Sequence, residues 1–226
     1  MTGKGGALSA GWTPMLRFIE RWFDPAEAVE AAAAERASED ACDAAEERMG
    51  LRMPLAVREW CRLCARHPVL GRGNNRVVPA EELAVRDERV DLYIENQCVL
   101  TWGVRLSDWH HDDPPVVATE TNVGSLGEVN RTCSDFYFQM TLHQAHWASR
   151  AAFGYGDVAS IVAEHYPRLD LPVWPWAGAK EAFTLYGDDD TVLNLDYTNH
   201  LLVSARTSDA FERAKRLFEA HWDRLD

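Results

Sequence analysis

Along this chain the spacing of apolar positions alternates between a helical and a strand period, and the changes mark the elements. Leu16, Ile19, Trp22 and Phe23 recur at helical spacing, which predicts a helix over Trp12 to Phe23 with Thr13-Pro14 at its start. Asp24-Pro25 then reads as a cap and a first-turn proline. The next helix covers Ala26 to Glu47, where alanine and glutamate give high helix propensity. Its apolar face is mostly alanine, so it is expected to lie in solvent, with Ser38 as a restart point if it is a helix pair. Gly50 to Pro54 breaks it. Pro54 suits the first turn of a third helix, with Val57, Trp60, Cys61 and Cys64 on its apolar face and an end near His67-Pro68.

The pattern then turns to period two. Asp91 to Glu95 alternates polar and apolar residues, and Val99 to Leu106 is rich in β-branched and aromatic ones. With Asn96-Gln97 as a short polar turn between them, the two runs predict a β-hairpin. A polar loop, Asp108 to Pro115, leads to a third run at Val116 to Ala118. Proline donates no ladder hydrogen bond, so Pro114 and Pro115 should precede that strand. Thr119 to Thr132 is expected to hold a short edge strand. Ser134-Asp135 opens a helix over Phe136 to Phe153, ended by Gly154-Tyr155-Gly156. A short helix over Val158 to Tyr166 stops at Pro167, and Leu171 to Trp176 is an aromatic, proline-rich connector. Phe183 to Tyr186 and Val192 to Tyr197 flank Gly187 to Asp190 as a second hairpin, and Leu201 to Ala205 is another strand. Ser208 or Asp209 caps a last helix bearing Phe211, Ala214, Leu217, Phe218 and Trp222 on one face. Helices, then strands, then a helix, strands and a helix place the chain in the α+β class, with a mainly antiparallel sheet packed by helices. Residues 12–226 are expected to form one domain. Residues 1–11, rich in glycine, are expected to be a disordered terminus.

Composition changes this picture in a few places. At 46% hydrophobic and 26% charged residues the chain is an ordinary globular one, and its 226 residues suffice for one large domain. No apolar run approaches the roughly 20 residues of a membrane span, and the N-terminus has no apolar stretch of the secretory kind. The expected location is the cytoplasm. Five scattered cysteines do not make a disulfide framework, which fits that compartment. A net charge of −13 argues against nucleic acid as a partner and suits a basic protein.

Candidate chemistry is thin. Cys61-Arg-Leu-Cys64 with His67 is half a zinc site, but no second pair follows, and cysteine on an apolar helix face acts as a small hydrophobe. His110-His111-Asp112-Asp113 carries metal-capable side chains that need a distant partner such as His143 or His146. The same loop, flanked by Trp109 and held by a hairpin, is better suited to contacting a partner. Asp188-Asp189-Asp190 lacks the glycine and glutamate of a calcium loop and reads as a turn. Gly71 to Asn75 lacks the third glycine of a dinucleotide fingerprint. There is no nucleophile elbow, and Glu95 with Asp113 is the only acid–base pair that suggests itself. No metal or other cofactor is expected, and the balance favours a protein that is not an enzyme.

One set of motifs carries a resemblance. Leu51 to Pro54 opens a helix, and Glu81-Glu82-Leu83 follows a glycine-containing turn. Then come Tyr93-Ile94-Glu95-Asn96-Gln97, Trp102-Gly103-Val104 and Asp112-Asp113-Pro114-Pro115-Val116. In this order they resemble the SUKH superfamily, best from about Glu46 to Val117. Here Arg52 and Met53 stand between Leu51 and Pro54, where the family has adjacent Leu-Pro, and Cys98 replaces a small residue. The resemblance implies a cytoplasmic α+β domain of a kind often found as immunity proteins against polymorphic bacterial toxins, many of them nucleases. Phe183 to Asp226 is then an extension, within the family or proper to this chain. Partner contact is expected at Glu95, Gln97, Trp109, Asp112 and Asp113, as exposed residues near the hairpin. Trp102 is expected on the core face, and Gly103 at a bulge or a close approach. The alternatives are a regulatory scaffold that binds an endogenous protein, and a metal-dependent hydrolase using His110, His111, Asp112 and Asp113.

Overall fold

A computed structural model of the protein describes residues 12–23, 28–71, 73–148, 150–154, 158–171, 174–175, 182–195 and 200–218. The expected disordered terminus, residues 1–11, the expected cap at Asp24-Pro25, Tyr155-Gly156, Pro172, Val173 and Trp176 of the connector, Tyr197 and Trp222 lie outside them. The class is α+β, with antiparallel sheets throughout. Two compact units divide the chain, Met1–Thr141 and Leu142–Asp226.

In the first unit, helix α1 (Trp12–Trp22) buries Met15 and Ile19 fully. Helix α2 (Ala28–Met49) runs unbroken through Ser38 and ends at Gly50, whose φ of +66° is a left-handed cap that glycine adopts without strain. The Gly50 N–H donates to the Glu46 carbonyl at 2.8 Å. Helix α2 is less solvated than its alanine face predicts, because Cys42 and Ala45 are buried. Helix α3 (Leu55–Arg66) follows Pro54 and buries Val57, Trp60 and Leu63.

The sheet of this unit runs β1 (Arg76–Val77), β3 (Arg89–Ile94), β4 (Leu100–Arg105), β5 (Val116–Glu120) and β6 (Gly124–Asn130), with β2 (Val85–Arg86) paired to β3. The expected hairpin is β3 and β4. Its connection is longer than Asn96-Gln97 alone, since Glu95 to Val99 all leave the ladder. The third run does begin right after Pro115 and extends to Glu120. The edge strand in the polar segment is seven residues long, and register shifts at Val116/Val117 and Ala118/Thr119 twist it against β5. Trp102 is buried, as its place on the core face predicts. Gly103 sits opposite Asp91, beside a register shift between Asp91 and Tyr93, so the expected irregularity is present. Trp102 lies 6.1 Å, centroid to centroid, from Phe136 in the first turns of α4 (Cys133–Ala148), and Trp60 of α3 stacks on Tyr137 at 4.5 Å. These rings join the sheet to the helices.

In the second unit β7 (Arg150–Gly154), β11 (Leu201–Ala205), β10 (Thr191–Leu195), β9 (Ala182–Gly187) and β8 (Trp174–Pro175) lie in that order. The helix expected over Phe136 to Phe153 therefore stops at Ala148. Arg150 to Gly154 instead pairs with Ala205 to Leu201, because an open sheet edge outweighs the local helix propensity of Ala151 and Ala152. Helix α5 (Ala159–His165) and helix α6 (Ser208–Leu217) place Val162, Ala214 and Phe218 against Leu193, Leu201 and Val203. The cap of α6 is Thr207, not Ser208 or Asp209, with its hydroxyl accepting from the Ala210 N–H at 3.2 Å. Among the described residues no helix is long and apolar enough to cross a membrane.

Candidate functional site

The expected contact residues sit at the two ends of the β3–β4 hairpin and in the loop that follows it. At one end, Glu95 turns its carboxylate inward. Oε2 accepts from the Gln97 N–H at 2.8 Å and the Val99 N–H at 3.3 Å, while the Cys98 N–H donates to the Glu95 carbonyl at 2.8 Å. One side chain thus supplies the acceptors that a five-residue connection lacks in its own backbone. Cys98 takes φ of +59° in this turn. Neighbouring segments hold it from both sides. The Asn96 N–H donates to Asn75 Oδ1 at 3.2 Å, its amide donates to Asn74 Oδ1 at 2.9 Å, and the Thr121 hydroxyl donates to the Cys98 carbonyl at 2.9 Å. Asn96, Gln97 and Cys98 are exposed on this braced turn. Glu95 itself is 6% exposed, so its expected exposure is corrected: the turn needs its carboxylate as an internal acceptor.

At the other end the loop from Leu106 to Pro115 is wound tightly. The His111 N–H donates to the Asp108 carbonyl at 3.1 Å, and the Asp112 carbonyl accepts from the Ala56 N–H at 2.9 Å, which satisfies a free donor in the first turn of α3. Asp113 does the same for α4 with its side chain. Its Oδ1 accepts from the Ser134 N–H at 2.9 Å, and its Oδ2 from the Ser134 hydroxyl at 2.7 Å. A carboxylate at a helix N-terminus is also favoured by the helix dipole. Asp113 is therefore half-buried and engaged, which corrects its expected role as a freely exposed group. Glu95 and Asp113, the candidate acid–base pair, each serve backbone amides of a different segment.

Trp109 is corrected in the same way. It is 2% exposed, because the loop folds the indole inward, and its Nε1–H has no acceptor among the described residues. The indole lines a cleft of about 230 Å³ together with Met53, Pro54, Leu106 and the polar side chains Arg52, His110, His111 and Asp112. The exposed imidazoles of His110 and His111 lie 4.0 Å apart, and Arg52, itself well exposed, stands 3.7 Å from Asp112. The structure thus brings Trp109 and Asp112 to one cleft and leaves Gln97 exposed on the braced turn.

A second groove, about 470 Å³, opens on the face of the sheet that carries its polar residues. Arg89, Arg105, Ser107, Thr119 and Ser125 line it. Arg89 is internally engaged there, 2.8 Å from Asp91 and donating to Thr101 at 2.9 Å and to Thr119. Sequence reading missed both hollows, since each gathers residues from segments far apart in the chain. The stretch Leu51 to Pro54, already notable as a helix start, was the one available signal for the first.

Among the described residues no group of three or more His, Cys, Asp or Glu side chains converges on a point where it could hold a metal ion. His143 and His146 are instead packed in protein. Burial pushes the His143 pKa down to about 4 and lowers that of His146 well below the ordinary range, with His143 adding to the effect. His146 Nδ1 shares a hydrogen bond with the buried Ser204 hydroxyl.

Compared with known proteins, the chain matches no protein-family model, no curated protein and no solved structure.

Proposed function

We propose that this chain is a non-enzymatic protein-binding domain, resembling the SUKH immunity proteins that neutralise a polymorphic bacterial toxin in the cytoplasm. The observation that carries the reading is the treatment of the motif residues. Glu95 and Asp113 spend their carboxylates on backbone amides, and so brace two polar segments, Asn96 to Cys98 and His110 to Asp112, which present their own side chains to solvent. Rigid loops of this kind lose little entropy when a partner docks. Gln97 and Asp112 are the contact groups of this reading, with His110 and His111 beside them and Trp109 as the cleft floor. A net charge of −13 favours a basic partner such as a nuclease domain, by steering its approach and supplying rim charges.

The test is a pull-down from native lysate with the full chain as bait, at low and moderate salt, run in parallel with Asp112→Lys and Gln97→Lys. One stoichiometric basic protein is expected on the wild type, released as salt rises and reduced on both variants at unchanged circular dichroism. Capture that is equal on all baits, or absent from the wild type at both salts, overturns the reading.

A further inference from the structure

Helices α2 and α3 hold a pair of thiols that the binding reading does not use. Arg58 of α3 lies against α2 and meets carboxylates along one of its faces. Nη1 donates to Glu39 Oε2 and Asp43 Oδ1, each at 2.8 Å, and Nη2 stands 3.1 Å from Glu46 Oε1. Burial alone would weaken this guanidinium's hold on its proton; the carboxylates outweigh it, so its pKa is raised. This clamp sets the register of the two helices. Cys42 lies three residues after Glu39 and four before Glu46, on the same face of α2. Cys61 lies three residues after Arg58, on the same face of α3. The two thiols therefore face each other across the clamped helices, close enough for each to shift the other's pKa. Cys42 is buried and Cys61 is partly exposed. Ala45, fully buried one turn along from Cys42, puts no bulk between the helices.

We propose that Cys42 and Cys61 form an oxidative modification site, a dithiol that a small-molecule disulfide converts into a covalent bridge between α2 and α3. Exchange begins where solvent reaches. The Cys61 sulfur, as thiolate, attacks one sulfur of the small disulfide; the other sulfur leaves and takes up the proton that Cys61 released. The Cys42 thiolate then attacks the Cys61 sulfur, the Cys42–Cys61 bond forms, and the second small thiol leaves with the Cys42 proton. Two protein thiols lose two electrons and one small disulfide becomes two thiols. The neighbouring Cys61 thiol, helped by Arg58 and opposed by burial, lowers the Cys42 pKa and so favours the resolving thiolate. The neighbouring Cys42 thiol, together with partial burial, raises the Cys61 pKa and favours its thiol form, so the first step is the slow one. The site therefore answers sustained oxidation.

The test uses the full-length protein, oxidised glutathione as the probe, and a non-reducing tryptic map. Cys42, Cys61 and Cys64 fall in separate peptides, residues 37–48, 59–62 and 63–66. A cross-link between 37–48 and 59–62 is expected. It should be reversed by dithiothreitol, be retained in Cys64→Ser, and raise the unfolding temperature of the oxidised protein. A map in which Cys42 keeps its thiol, while Cys61 pairs with Cys64 or holds glutathione, overturns the proposal. So does loss of the cross-link in a folded Cys64→Ser.

Discussion

Adding one methyl group at Gly103 tests how closely the strands of the central hairpin approach. A Cβ built there would stand 2.4 Å from the Val90 carbonyl oxygen and 3.0 Å from Asp91 Cα. Ordinary contact for such a carbon begins near 3.4 Å, so β3 and β4 must separate by about 1 Å at that point. The obstructing atoms are all backbone, so no side-chain rotation relieves the contact. Gly103 also pairs with Val117 on β5, which leaves its strand little room to move away. Overpacking of this kind costs about 1–3 kcal/mol, and each ladder hydrogen bond strained by the displacement adds about 1 kcal/mol. We expect Gly103→Ala to lose about 3 kcal/mol, a large share of the roughly 5–15 kcal/mol that holds a domain folded. Urea unfolding followed by tryptophan fluorescence and circular dichroism reads this as a midpoint lower by about 1–2 M. Gly71→Ala is the control, because nothing lies within 4 Å of its added carbon, and it should stay within about 0.5 kcal/mol of the wild type. Should Gly103→Ala match Gly71→Ala, the close approach and the register around it would be wrong.

The remaining expectations concern the buried histidines and the loop. His143 has a folded pKa of about 4, below its ordinary 6.5, so the unfolded chain takes up more protons on acidification. At about 1.4 kcal/mol per tenfold change in proton affinity, stability is expected to fall by about 3 kcal/mol between about pH 6.5 and 4, with His146 adding to the loss. Urea midpoints that stay flat through this window would contradict the burial of both rings. Asp113→Ala should cost about 1–2 kcal/mol by freeing the donors of Ser134, and Asp113→Asn should recover part of it; calorimetry showing neither change would remove the helix-capping role. Trp109→Phe keeps most of the ring and deletes a buried donor without an acceptor, so the net change in denaturant stability should stay below about 1 kcal/mol. A loss above about 3 kcal/mol would mean that the N–H has a partner.

Where an element depends on neighbours in sequence, the chain is readable. The three N-terminal helices, the β3–β4 hairpin, the strand after Pro115, the second hairpin and Leu201–Ala205 all appear where hydrophobic period and turn chemistry place them. Proline and Gly50 mark the breaks because their backbone limits or freedoms act on the spot. The candidate site was readable only in part. Its residues were found by motif, but which of them face solvent was misjudged for Glu95, Trp109 and Asp113. A buried carboxylate and an exposed one look alike in sequence; what separates them is the donor each meets. For Asp113 that donor is Ser134, 21 residues away, and the turn at Glu95 is held by Asn74 and Asn75, about as far off.

The amino-acid sequence by itself determined the α+β class, the order of the elements and the acidic charge, because periodicity, propensity and composition are local or additive. Tertiary structure alone decided the rest. The open edge of β11 drew Arg150 to Gly154 out of a helix and into a strand. A backbone donor left over at the start of α4 captured the Asp113 carboxylate, 21 residues away, which had looked free. The meeting of Cys42 with Cys61, and the cleft over Trp109, arise from segments that come together only once the chain has packed. Such contacts are set by the global minimum of burial and hydrogen bonding, which no window of the sequence contains.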